Sequence, residues 1–267
     1  AEIVSDMEYQ IALKAGVDPA KIMFNGPYKR PEAIQKLLAS GGIVNIDSVQ
    51  ELKKIIEIAA QYPHQQMSVG LRCNFDIHDG VRSRFGFDTE SPDFAETIGS
   101  LRQIENVTLA GLHCHFATRT IETWPTRAEK MLNLVRQYFD EPPRFISLGG
   151  GIFGKMAESL KKQFDVKIAS YDEYAQAVAV KVRDFFHQED SSRQTQLIIE
   201  PGSALAGDAM KFVTKVINVK DVRGKKIATV LGSIYNINPT LNKKNPPIAI
   251  YHDDSSSNQQ EYYSDLD

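Results

Sequence analysis

Short apolar runs rich in β-branched residues alternate with longer amphipathic stretches through most of this chain, and that rhythm restricts it to very few folds. The runs are residues 2–5, 21–25, 43–47, 67–74, 107–116, 145–149 and 196–200. Between them, residues 31–39, 48–61 and 171–187 carry apolar side chains at helical spacing, and Ser48 followed three residues on by Glu51 reads as a capping box. Repeated strand-then-helix order predicts an α/β fold: a parallel sheet with helices on its faces, either open and doubly wound or closed into a (β/α)8 barrel of the TIM type. Seven strands are counted where the closed barrel has eight, and the first run begins at once, so the expectation is a barrel lacking its first unit. Such a barrel has two unpaired sheet edges.

After residue 210 the pattern changes. Residues 212–219 and 226–231 alternate like antiparallel strands around a turn at 221–224, and residues 248–251 form another short apolar run. The predicted organisation is an incomplete barrel domain over residues 1–210 and the start of a β domain over 211–267. That second part ends in an acidic tail running from His252 and Asp253 through SSSNQQ.

A formal net charge of −3, with basic and acidic residues interspersed, leaves no basic field to hold nucleic acid. No stretch approaches the ~20 apolar residues of a membrane span, and AEIVSDMEYQ lacks the regions of a signal peptide, so a cytoplasmic protein is predicted. Cys73 and Cys114 lie inside strand-like runs and outside any CxxC pair, which predicts buried thiols rather than a disulfide or a structural zinc.

Three segments at predicted strand ends carry chemistry, and strand ends are where α/β folds place their sites. Gly149, Gly150 and Gly151 follow an apolar strand; without side chains, their backbone N–H groups can approach an anion closely, which suggests a phosphate site as readily as a flexible turn. The same stretch fits GxxxxGK from Gly149 to Lys155, a nucleotide-binding P-loop. Against that stands Met156, where Mg²⁺ requires a hydroxyl. Glu200 ends an apolar strand just before Pro201 and Gly202, so its carboxylate needs a partner, either backbone N–H groups or a cationic ring nitrogen. His113 and His115, two apart, share one face of a strand. They form a metal pair only if a distant ligand joins them, and none is evident in the sequence.

GLHCHFAT, SLGGGIFG and EPGSALAG, in this order, resemble the ornithine and diaminopimelate decarboxylase family, which is built on the alanine racemase-like barrel and uses pyridoxal 5'-phosphate (PLP). AEIVSDMEYQIALKAGV, KIMFNGPYKRPEAI, IVNIDSVQEL, SVGLRCN and SRFGF extend the likeness over nearly the whole chain. The resemblance implies a PLP-dependent decarboxylase of a basic or dicarboxylic amino acid, of the diaminopimelate type on the closeness of GLHCHFAT, with ornithine, arginine and carboxynorspermidine as further candidate substrates and a racemase or a non-catalytic PLP-binding homologue as alternatives. It implies that His115 stacks on the cofactor ring and that Glu200 pairs with the pyridine nitrogen. Gly149, Gly150 and Gly151 then hold the phosphate, with Arg72, Thr118, Gly202 and Ser203 also at the cofactor. For Arg72 the residues alone allow an exposed arginine on the rim instead.

Three departures from the family accompany the likeness. The family's EPGR reads Glu200-Pro201-Gly202-Ser203 here, so a hydroxyl replaces a guanidinium, and HxGS reads His115-Phe116-Ala117-Thr118. The family's Schiff-base lysine, which ends the first barrel strand, has no counterpart: Lys21 starts a predicted strand and Lys155 follows the glycines. The expectation is therefore a fragment of a longer homodimeric enzyme with shared active sites. Its substrate-selective residues are expected near 83–86 and in a C-terminal part the chain lacks.

Overall fold

The computed structural model describes residues 1–187, 194–237, 244–251 and 261–263, which fall into two compact units. The first comprises Ala1–Ile152 and Ala169–Pro201; the second comprises Phe153–Ile168 and Gly202–Asp267. The tail expected from His252 and Asp253 through SSSNQQ lies outside the described residues.

The first unit is a curved parallel sheet with helices in the connections. Its elements are β1 (Glu2–Ile3), α1 (Asp6–Lys14), β2 (Met23–Phe24), α2 (Pro31–Ala39), β3 (Ile43–Ile46), α3 (Val49–Gln61), β4 (Met67–Asn74), β5 (Phe87–Asp88), α4 (Pro92–Arg102), β6 (Val107–His113), α5 (Thr123–Tyr138) and β7 (Phe145–Ser147). After the excursion into the second unit, which contains α6 (Glu158–Lys161), the chain returns with α7 (Tyr171–His187) and β8 (Gln196–Ile198). Pairing runs β1-β2-β3-β4-β6-β7-β8, the seven strands and the order expected, with β1 and β8 at the two ends of the path. The fold is that of the TIM-type decarboxylase barrel.

The helices are held by apolar stripes at i, i+3 and i+4. Ile34, Leu37 and Leu38 of α2, Leu52, Ile55 and Ile58 of α3, and Phe94, Ile98 and Leu101 of α4 are all buried. Each contributes about 1.5–3 kcal/mol by leaving water. Inside the sheet's curve Met23, Ile43, Ala110 and Phe145 pack together with Ile198. Gly70 makes room for this layer, because a Cβ there would lie 2.8 Å from the Phe145 ring and 2.0 Å from the Asn45 amide oxygen.

Several strands stop earlier than their apolar runs suggest. Ser5 leaves β1 to cap α1, its hydroxyl accepting from the Glu8 N–H at 3.3 Å. Lys21 ends a 3-10 turn, Pro19–Lys21, that precedes β2. Strand β6 ends at His113 rather than Phe116, strand β7 at Ser147 and strand β8 at Ile198, because the following residues turn to build the rim. The capping box of α3 is half made: Ser48 accepts from the Glu51 N–H at 3.4 Å, but the Glu51 carboxylate turns to the Asp47 N–H at 2.9 Å and to Lys29. Strand β5 was not expected, since two residues carry no periodicity. Its partner is the end of β4, through Cys73↔Phe87 and Asn74↔Asp88.

In the second unit, β9 (Val216–Val222) and β10 (Lys225–Val230) form the expected antiparallel hairpin. Its two-residue turn places Arg223 and Gly224 at positive φ, as a type I′ turn requires. Helices α8 (Ser203–Ala206) and α9 (Ile234–Ile237) and the pair β11 (Ile248–Ile250) and β12 (Glu261–Tyr263) complete it.

Candidate functional site

Parallel register lines up the carboxyl ends of four strands. Arg72 of β4 stands beside His113 of β6, His113 beside Ser147 of β7, and Ser147 beside Ile198 of β8. Two residues past Ile198, Glu200 turns its carboxylate across this row. Oε1 meets Asn25 Nδ2 at 2.8 Å, His113 Nε2 at 3.1 Å and Ser147 Oγ at 3.3 Å, and Oε2 meets His115 Nδ1 at 3.0 Å. The Asn25 amide is itself oriented by Asn45, whose Nδ2 donates to Asn25 Oδ1 at 2.5 Å.

This surrounding decides the charge of Glu200. Burial alone would raise its pKa, but the hydrogen bonds and charges of His113 and His115 outweigh it and hold the carboxyl well below the usual carboxylate range. Burial conversely pushes the His113 pKa down, against the pull of the Glu200 carboxylate, and His113 donates its Nε2 proton to Glu200. Its Nδ1 is buried and lacks a partner among the described residues. His115 is placed differently. Its Nδ1 also lies 3.2 Å from the Gly150 N–H, and one nitrogen cannot both donate to Glu200 and accept from Gly150, so the two contacts belong to alternative tautomers.

The glycine cluster passes directly beneath these groups. Gly149 and Gly151 sit at φ 67° and 91°, conformations that side chains disfavour. A Cβ on Gly149 would lie 2.4 Å from the Cys114 carbonyl oxygen, one on Gly150 2.5 Å from that of Glu200, and one on Gly151 2.6 Å from that of Thr118. Only bare backbone fits between those two segments. The Glu200 N–H donates to the Gly149 carbonyl at 2.8 Å, which ties loop and carboxylate to one rim.

Arg72 is 7% exposed, not the open rim arginine that its sequence position also allowed. It donates to the Asn25 carbonyl at 3.0 Å, lies 3.5 Å from Asp47 Oδ1 and stacks over Phe85 at 4.8 Å. Asp47 Oδ1 also accepts from the Gly86 N–H at 3.2 Å, so this pair anchors the 83–86 loop. Thr118 directs its hydroxyl to Asp79 and its carbonyl to Arg127. Gly202 and Ser203 open the second unit, at the start of α8.

The P-loop alternative is not upheld. No helix begins at Lys155, as a phosphate-binding helix N-terminus would require; the next helical residues are the four of α6. Cys73 and Cys114 are free and buried, and burial pushes the Cys114 thiol up to about 12. The distant partner that the histidine pair lacked in the sequence is Glu200, since the ligating atoms of His113, His115 and Glu200 all lie within 4.8 Å of one another.

Sequence patterns did not single out Asn25, Asn45, Asp47, Lys29 or Arg127, and marked Glu51 only as part of a helix cap. The first three are polar residues closing or interrupting apolar strands, the same signal that marked Glu200. Lys29 is fully buried, donating to Glu51 at 2.6 Å and to the Asn45 carbonyl at 2.8 Å.

These residues fit PLP at two points. A buried carboxylate held ionised suits a protonated pyridine nitrogen, and the adjacent glycine backbone suits a phosphate. The buried amine of Lys29 is committed to Glu51 and Asn45.

Known proteins resemble this chain in sequence and in fold. The chain is similar to a probable chloroplastic diaminopimelate decarboxylase of Oryza sativa, 29% identical over 256 residues, covering 90% of this chain and 49% of that protein. It is likewise similar to the diaminopimelate decarboxylase of Methanocaldococcus jannaschii, 27% identical over 235 residues, covering 83% and 51%. The crystal structure of an M. jannaschii diaminopimelate decarboxylase superposes with a TM-score of 0.78 at 23% identity, over 93% of this chain and 58% of that one. The chain thus spans about half the length of the curated relatives it matches. Residues 1–207 match the family described as the pyridoxal binding domain of pyridoxal-dependent decarboxylases, and the chain belongs to that family, whose cofactor is PLP.

Proposed function

We propose that residues 1–210 form the cofactor-binding part of a PLP-dependent amino-acid decarboxylase of the diaminopimelate type, acting as a cytoplasmic homodimer with shared active sites. The single observation that carries this reading is the buried carboxylate of Glu200, ringed by Asn25, His113, His115 and Ser147 and fastened through its own backbone to the glycine loop. When bound, PLP supplies an electron sink for the pair released as CO₂ leaves the substrate α-carbon. The chain's residues do the rest. Glu200 keeps a proton on the pyridine nitrogen, and His113, Asn25 and Ser147 hold Glu200 in place and ionised. His115 would stack on the ring and the amides of the glycine loop would hold the phosphate, with Arg72 and Thr118 also at the cofactor. In this reading the 83–86 loop, which Asn74, Asp47 and Arg72 hold, selects the amino-acid substrate.

A second reading rests on the same cluster: His113, His115 and Glu200 supply two imidazoles and a carboxylate, a donor set that suits zinc. One titration separates the two. Pyridoxine 5'-phosphate, which lacks the reactive aldehyde, is titrated into the chain with and without zinc. Saturable binding that Glu200→Gln weakens by at least about tenfold supports the cofactor reading. Zinc binding that expels the vitamer, or no vitamer binding at all, overturns it.

A further inference from the structure

Arg127, on α5, is fully buried, yet among the described residues it has no carboxylate within ion-pair distance. Its guanidinium instead donates to backbone on both sides of Gly151: to the Gly150 carbonyl at 2.8 Å and to the Thr118 carbonyl, with a further bond to Thr123 Oγ1 at 3.2 Å. The ring of Trp124 covers it at 4.5 Å and that of Phe116 at 5.4 Å, and among the described residues its Nε has no partner. A buried cation with no carboxylate in contact is costly to keep, and the charge of Asp79 at longer range, carbonyl dipoles and ring faces offset that cost only in part.

The Gly150 carbonyl and the Gly151 N–H belong to one peptide group. No described peptide bond is cis, so the two point in opposite directions. A guanidinium bound to the carbonyl therefore turns the Gly151 N–H away from the protein interior behind it, and polarises it as a donor. Among the described residues that N–H makes no recorded hydrogen bond.

We propose that Arg127 is the charged backing of the glycine loop, a positioning residue that aims and strengthens the Gly151 amide for a phosphate monoester and supplies the positive charge such an anion needs. This rests on the cofactor reading above. Arg127 does not touch the ligand; it acts through the peptide group and through its field.

The test compares two ligands that differ only in the phosphate, pyridoxine 5'-phosphate and pyridoxine, each titrated calorimetrically into the full 267-residue chain. Removing the charge in Arg127→Met is expected to reduce the preference for the phosphorylated ligand about tenfold, while affinity for pyridoxine stays within about twofold. Arg127→Lys, which keeps the charge without the fork, is expected to retain most of the preference. Should Arg127→Met fail to give the parent's circular dichroism, Arg127→Gln, uncharged but able to donate to Gly150, takes its place with the same expected loss. Equal weakening of both ligands, or an unchanged preference in a folded uncharged variant, overturns the role given to Arg127. A parent chain that binds neither ligand, or binds both alike, overturns the cofactor reading itself and this inference with it.

Discussion

The backbone N–H of Glu200 donates to the carbonyl oxygen of Gly149 at 2.8 Å, so the residue that carries the negative charge and the loop that would bind an anion form one rigid piece of rim. A single ligand with a cationic end and an anionic end can then meet both without either side moving.

Glu200 should make stability depend on pH. Its folded pKa lies below the ordinary value of 4.5, so the unfolded chain binds the proton more readily at low pH. Its contribution is therefore fully present above about 4.5 and is lost as pH falls from there towards the folded value. Urea midpoints of the parent and of Glu200→Gln measured from pH 7 to pH 3 should converge as the pH drops. A constant difference would mean that the carboxylate is not held ionised by its neighbours.

Gly150→Ala should be disruptive even though its φ is not in the left-handed region. The added methyl would sit 2.5 Å from the Glu200 carbonyl oxygen and 3.1 Å from the His115 ring, and neither the backbone nor the ring can withdraw freely. Overpacking of this kind costs about 1–3 kcal/mol, visible as a lower melting temperature together with weaker pyridoxine 5'-phosphate binding.

Lys29→Met should be among the most destabilising changes in the first unit. Burial pushes Lys29 down and Glu51 up, and each is kept charged chiefly by the other. Removing one partner strands the other, at about 3–5 kcal/mol. In the variant, the raised pKa of Glu51 means that the folded state binds the proton more tightly than the unfolded one, so the loss should shrink as pH falls from 7 to 5. Chemical denaturation at both values checks the sign. The double variant Lys29→Met, Glu51→Gln should recover part of the loss at pH 7.

His113→Phe should raise the pKa of Glu200, because it deletes the first hydrogen bond holding the carboxylate down while leaving burial in place. The acid limb of the stability curve should move to higher pH relative to the parent. An unmoved limb would leave His115 and Asn25 as sufficient partners.

Much of the architecture was legible in the chain. Alternation of β-rich and amphipathic stretches is a one-dimensional signal, and the strands, their parallel order and helices α2, α3 and α7 follow from it because side-chain period decides which face can be buried. Strand ends were legible only to within a few residues. Ser5, Cys114 and Gly149 continue apolar runs but are claimed by a cap, a rim segment and a loop. Glu200, His115 and the three glycines stood out because their residue types break an apolar strand.

The site's partners were a different matter. That Asn25, Asn45 and Ser147 converge on Glu200, that the two histidines find in it the third ligating group they lacked in sequence, and that Arg127 reaches the back of the glycine loop all depend on strands far apart in sequence ending on one rim. Local sequence determines which residues can be polar at a strand end. Only the curvature of the sheet brings those ends within hydrogen-bonding distance, and there burial and neighbouring donors, not residue type, decide which way the pKa values of Glu200 and His113 move.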